Sequence, residues 1–157
     1  MKLSGANAPL LLSIPLHGGR DQKQQLKDVQ IAASEPWQKN HWKGIVSSYR
    51  KAPWFEEYET ELLQFYRQPE KFLLDWNLKT MLWAIEKLKW KLDIMADTEA
   101  EDPGEIQLLN SSNVLEFPVY QQVFADRFGF LPNLSILDLI FCEGPKAVNY
   151  FELLNRL

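Results

Sequence analysis

A chain of 157 residues, 46% hydrophobic and 24% charged, is long enough to bury one substantial core and short for two, so a single domain over 1–157 is expected. Six Trp and nine Phe supply large aromatic core pieces, which excludes a largely disordered chain. A formal net charge of -4 with no dense Lys/Arg tract removes the long-range attraction to phosphate backbones, so nucleic acid is excluded as a main partner.

The opening Met1-Lys2-Leu3-Ser4-Gly5 lacks the long apolar segment of a signal peptide, and no run reaches the roughly 20 apolar residues that cross a bilayer, so membrane insertion is not expected. Pro9 to Leu16, apolar and followed by Gly18 and Gly19, predicts a buried strand leaving into a turn, and Val29 to Ala32 predicts a second strand. Between them, Gly18-Gly19-Arg20 is either a turn with a solvated Arg or a stretch of backbone N–H groups that holds an anion beside a guanidinium.

From Glu35 to about Ala52, Trp37, Trp42, Ile45, Val46 and Tyr49 recur at helical steps, with Ser34 placed to cap the N-terminus. His41 falls four residues after Trp37 and four before Ile45, on or beside the buried face, where a neutral imidazole needs a partner for its N–H. Arg50 and Lys51 close this helix and complement its negative dipole end; the alternative is that Lys51, with Arg20, binds the phosphates of a nucleotide sugar or another activated donor. Pro53 separates it from a second helix running to about Gln68 through Phe55, Tyr58, Leu62, Phe65 and Tyr66. Glu70 to Leu92 is the longest periodic segment and the expected central helix. Its spacing turns Leu73, Trp76, Met81, Ala84, Ile85 and Leu88 inward, Lys79, Lys87, Lys89 and Lys91 mostly outward, and Asn77 near the core.

Asp97 to Gly104 is an acidic linker, and Ile106 to Leu109 predicts a short third strand. Asn133 is a suitable cap for a helix beginning at Leu134, Gly144-Pro145 breaks that helix, and Lys146 to Leu154 predicts a last one. Asp138 is the single carboxylate in the apolar run from Phe130 to Phe141; an ionised Asp is not buried without a partner, so some group should converge on it. Together these elements predict an α+β fold, predominantly α-helical, with the helices packed around a small sheet of two to four short strands.

Six polar groups stand out by type and position: Arg20, His41, Lys51, Asn77, Asp138 and Glu143. His41 and Asp138 together would make a pair in which the carboxylate fixes the imidazole tautomer and raises its basicity; the plainer reading is a buried structural hydrogen bond. Cys142 is the only cysteine, which rules out an internal disulfide and agrees with a reducing compartment, the cytosol. No spacing pairs it with a His, so an inert, partly buried thiol is expected. Two His and no spaced carboxylate set predict neither a metal site nor another cofactor.

Several blocks in order, Gly5-Ala6-Asn7 with Leu12 to Leu16, Val29-Gln30-Ile31, His41 to Phe55, Leu74-Asp75-Trp76-Asn77, Tyr120 to Phe124 and Asn133 to Pro145, resemble the WbqC-like family, bacterial proteins encoded near surface-polysaccharide genes. The resemblance implies a role in O-antigen production, as an acyl- or aminoacyl (glycyl) transferase acting on an amino-sugar nucleotide. His41 and Asp138 would then be catalytic, and Arg20, Tyr49, Lys51, Asn77, Asn133 and Glu143 would contact the substrate. Cys142 stands where relatives commonly have Asn, which argues against an essential thiol. Family members usually carry a further N-terminal portion, so the strand at Leu10 to Leu16 is expected to keep an open edge or an exposed apolar face and to support self-association. A reading of a different class is a non-catalytic module that recognises carbohydrate or a partner enzyme.

Overall fold

In the computed structural model, which describes residues 1–19, 23–33, 36–68, 70–90 and 118–150, the chain opens with a tight antiparallel ladder of β1 (Lys2–Leu3) and β2 (Leu10–Leu11), in the register Lys2↔Leu11 and Leu3↔Leu10. The Leu12 N–H donates to the Met1 carbonyl at 2.8 Å, and on the far side of β1 the Ser135 N–H donates to the Lys2 carbonyl at 2.7 Å. Leu3 therefore enters the core, while Leu11 points outward and is 74% exposed. The predicted strand over Pro9 to Leu16 is realised only at its centre, because Pro9 and Pro15 have no N–H to give a ladder. The predicted strand at Val29 to Ala32 is reduced to two isolated bridges, Leu16↔Ile31 and Gln30↔Phe72.

Helices make up the rest of the frame: α1 (Trp37–Tyr49), α2 (Phe55–Arg67), α3 (Leu73–Lys87), the short α4 (Ala125–Phe128) and α5 (Ile136–Glu143). The described residues thus form a predominantly helical α+β arrangement with one small two-stranded sheet. Helix α1 buries Trp37, His41, Gly44, Ile45, Ser48 and Tyr49, and α2 buries Phe55, Tyr58 and Leu62, each set at the steps that give one inward stripe. Helix α5 is buried along six consecutive residues from Leu137 to Cys142, so it runs through the core and packs against α2 and α3. Tyr49, Phe55 and Phe141 meet at its centre, with both other rings 5.2 Å from that of Phe141.

Three expectations shift. Helix α3 begins at Leu73 rather than Glu70, because the residues before it are held extended: the Ile31 N–H donates to the Lys71 carbonyl and the Leu73 N–H to that of Val29, both at 2.9 Å. Its inward stripe is rotated, so Met81 is 42% exposed and Asn77, expected near the core, is exposed as well, while Trp83 is buried and Lys87, expected to face outward, is largely covered and paired with Glu61 of α2. Helix α5 begins at Ile136, with Ser135 rather than Asn133 accepting from the Leu137 N–H; Asn133 instead turns the chain in the left-handed region at φ 57, which Asn tolerates. Residues 144–147 form a 3-10 turn, with helical backbone at 148–150. The Ser34 cap, the acidic linker, the strand at Ile106 to Leu109 and the end of the last helix lie outside the described residues. Among the described residues no helix is long and apolar enough to cross a membrane.

Candidate functional site

A cavity of about 710 Å³ opens between the N-terminal segment, α1, α2, α3 and the start of α5, a size suited to a small molecule. Its wall is mostly apolar, with Tyr66, Trp76 and Trp83 among its aromatic residues, and His41, Asn77 and Thr80 contribute polar groups. The side of α1 that carries His41 is fixed by edge-on aromatic packing: the Trp37 ring lies 5.0 Å from both His41 and Trp76, and the Tyr66 ring 5.3 Å from Trp76.

His41 is buried, and its Nε2 lies 3.0 Å from the Ser13 carbonyl oxygen. A carbonyl only accepts, so Nε2 carries the proton and donates it, which leaves the lone pair on Nδ1. Burial holds the imidazole below its ordinary value of 6.5, against the raising effect of the Ser13 carbonyl and with a smaller lowering effect from the Met1 ammonium. The ring is therefore neutral at physiological pH, and a backbone carbonyl sets its tautomer. A carboxylate was the group expected for that task.

Asp138 has its own partner. It is 0% exposed, the Tyr120 hydroxyl donates to its Oδ2 at 2.7 Å, and Oδ1 has no hydrogen-bond partner among the described residues, so the expected His41–Asp138 pair does not form. Burial pushes the Asp138 carboxyl up from 3.8, while the side chains of Tyr120, Tyr49 and Gln122 act in the other direction. The Tyr49 hydroxyl accepts from the Ser4 N–H at 3.2 Å, and its pKa is raised first by burial and then by Asp138. Cys142 shares this interior, and burial pushes its thiol up to about 12, the state of an unreactive side chain.

The candidate residues are thus distributed over distinct places. His41 and Asn77 share the aromatic cavity, whereas Lys51 lines a second cavity with Lys43, Arg50 and Arg127. Tyr49 and Asp138 are core residues and line neither of these cavities. Asn133 borders a third, smaller cavity, Glu143 ends α5 half-buried, and Arg20 lies outside the described residues. Two further residues were not among the expected ones: Ser13, whose carbonyl orients His41, and Gln122, whose buried amide accepts from the Leu131 N–H at 2.8 Å and donates to the Leu131 carbonyl at 2.9 Å. No pattern marks a backbone carbonyl; Gln122 was visible only as a polar residue inside the Tyr120 to Phe124 block.

Among the described residues, a small helical α+β frame encloses an aromatic cavity with one neutral, oriented imidazole. The family model of the WbqC-like protein family matches residues 1–117 of the 157, and the chain belongs to that family. The match covers β1, β2 and α1 to α3, the elements that carry His41 and Asn77, and ends before α4 and α5. No curated protein and no solved structure matches the chain.

Proposed function

We propose that the protein is an acyl- or aminoacyltransferase acting on an amino-sugar nucleotide in cytosolic surface-polysaccharide synthesis, with the sugar held in the aromatic cavity. The observation that carries this reading is the state of His41: neutral, with Nε2–H committed to Ser13 and the Nδ1 lone pair retained, in the wall of a cavity of ligand size. In the transfer, the sugar amine attacks the carbonyl carbon of the activated donor, and a C–N bond forms as the bond to the carrier breaks. The amine proton passes to His41 Nδ1 and then to the departing carrier, while Asn77 donates to the carbonyl oxygen as negative charge develops there.

The test is to incubate the protein with amino-sugar nucleotides and activated acyl or aminoacyl donors and to follow the product by mass. His41→Gln is expected to lower kcat by roughly 10²- to 10⁴-fold with little change in KM. Because His41 must be neutral to act and burial lowers its pKa, wild-type activity should persist below pH 6.5 and fall only as pH drops through the lowered value. Undiminished turnover in His41→Gln would overturn the role of the imidazole. Stabilisation by a sugar nucleotide with no product under any donor would place the protein with the non-catalytic carbohydrate-binding modules instead.

A further inference from the structure

On the other flank of α1 from His41 lies a cavity of about 630 Å³ lined by Lys43, Arg50, Lys51 and Arg127, together with Trp42 and Phe124 and without a single Asp or Glu. In a chain of net charge -4 this is a local reversal of sign. The dipole of α1 accounts for Arg50 and Lys51, which follow its last residue, but not for Lys43 in the middle of the helix or for Arg127 from α4, far away in sequence. None of the four makes an ion pair among the described residues; Arg127 Nη1 instead donates to the Ala6 carbonyl at 2.9 Å, which fixes one guanidinium at the rim. Four like charges gathered in one concavity repel one another, and a bound polyanion removes that repulsion.

We infer that this cavity binds the diphosphate of a small molecule, with the cations on the phosphate oxygens and Trp42 and Phe124 beside the uncharged remainder. The concave form selects a small ligand over an extended backbone, because a cavity of this volume holds a ligand of nucleotide size, whereas phosphate-backbone binding uses a long basic surface that a chain of net negative charge does not offer. The guanidinium of Arg127 suits bidentate contact with phosphate, and the lysines act as point charges. This site does not depend on the chemistry assigned to His41, since the two cavities share none of their lining residues.

Isothermal titration with inorganic pyrophosphate, uridine diphosphate and uridine, at low and moderate salt, tests it. Pyrophosphate and uridine diphosphate are expected to bind and uridine to bind far more weakly, with affinity falling as salt rises and falling at least tenfold in Lys51→Glu. Tighter binding of uridine diphosphate than of pyrophosphate would point to a nucleotide as the natural source, and equal binding to the free diphosphate. Because Arg127 also anchors Ala6, Lys51→Glu and Lys43→Glu, both at exposed positions, are the decisive variants. Absence of binding by both diphosphates at millimolar concentration, unchanged affinity in both variants, or tighter binding of a short oligonucleotide would each overturn the inference. His41→Gln should bind diphosphate like wild type, so loss of turnover there and loss of binding here report on different sites.

Discussion

Asp138 shows how burial decides the chemistry of a single residue. No cation pairs with it among the described residues, and burial disfavours the charged form, so its pKa is raised even though the side chains of Tyr120, Tyr49 and Gln122 act in the other direction. A raised folded-state value means that the contribution of Asp138 to stability is complete below 3.8 and is lost as pH climbs through the folded value. Asp138→Asn keeps the shape and the acceptor for Tyr120 but cannot ionise. It should be at least as stable as wild type near pH 7, with its advantage disappearing below 3.8, and urea denaturation at the two pH values measures this. A variant that is clearly less stable at neutral pH would show that the carboxylate is ionised and paired. His41 has the opposite sign: its folded-state pKa is lowered, so its contribution is full above 6.5 and is lost as pH falls through the lowered value. That Asp138 must be buried and partnered was legible in its apolar surroundings. That the partner is Tyr120 was not, because the segment between them follows no periodicity that fixes where the ring lands.

Two glycines separate close approach from conformational need at the level of elements. Gly144 ends α5 at φ +55, and a Cβ there would lie 2.3 Å from Cδ2 of the Trp54 ring, whose backbone N–H donates to the Phe141 carbonyl at 3.0 Å. The atoms met lie at the root of the indole, on a backbone anchored to α5, so the ring has little room to shift. Gly144→Ala should therefore destabilise by about 2 to 4 kcal/mol, combining left-handed strain with overpacking. Gly44 differs. A Cβ there would meet Leu10 Cδ2 at 2.9 Å, the end of a flexible side chain on β2, and Ala in a helix gains up to about 1 kcal/mol over Gly. Gly44→Ala should change stability by less than about 1 kcal/mol, and thermal unfolding of the two variants side by side checks the contrast. Gly144-Pro145 was readable as a helix stop from the sequence, but the ring lying over it belongs to a residue 90 positions earlier and leaves no local trace.

At the scale of the molecule, α1 is the wall between two chemically different cavities, an aromatic one at His41 and a basic one at Lys43 and Lys51. The eight steps of regular helix from His41 to Tyr49 span about 12 Å, beyond the range over which substitutions usually couple. The double variant His41→Gln, Lys51→Glu should therefore lose stability by the sum of the single effects to within about 0.5 kcal/mol. A larger discrepancy in denaturation experiments would mean that the cavities form one continuous site. The sequence by itself determined the helical stripes of α1 and α2, the presence of one small sheet, the inert Cys142 and the burial of Asp138, because periodicity, proline placement and the cost of burying charge act over a few neighbouring residues. It also marked His41 as facing inward. Only the tertiary structure decided what each buried group meets. The Ser13 carbonyl reaches His41, Tyr120 reaches Asp138, and Arg127 joins Lys43, Arg50 and Lys51, because long-range packing brings together groups that no local pattern links. The rotation of α3 was settled in the same way: Glu61 of α2 accepts from the Trp83 indole at 3.0 Å and pairs with Lys87, holding both side chains against α2.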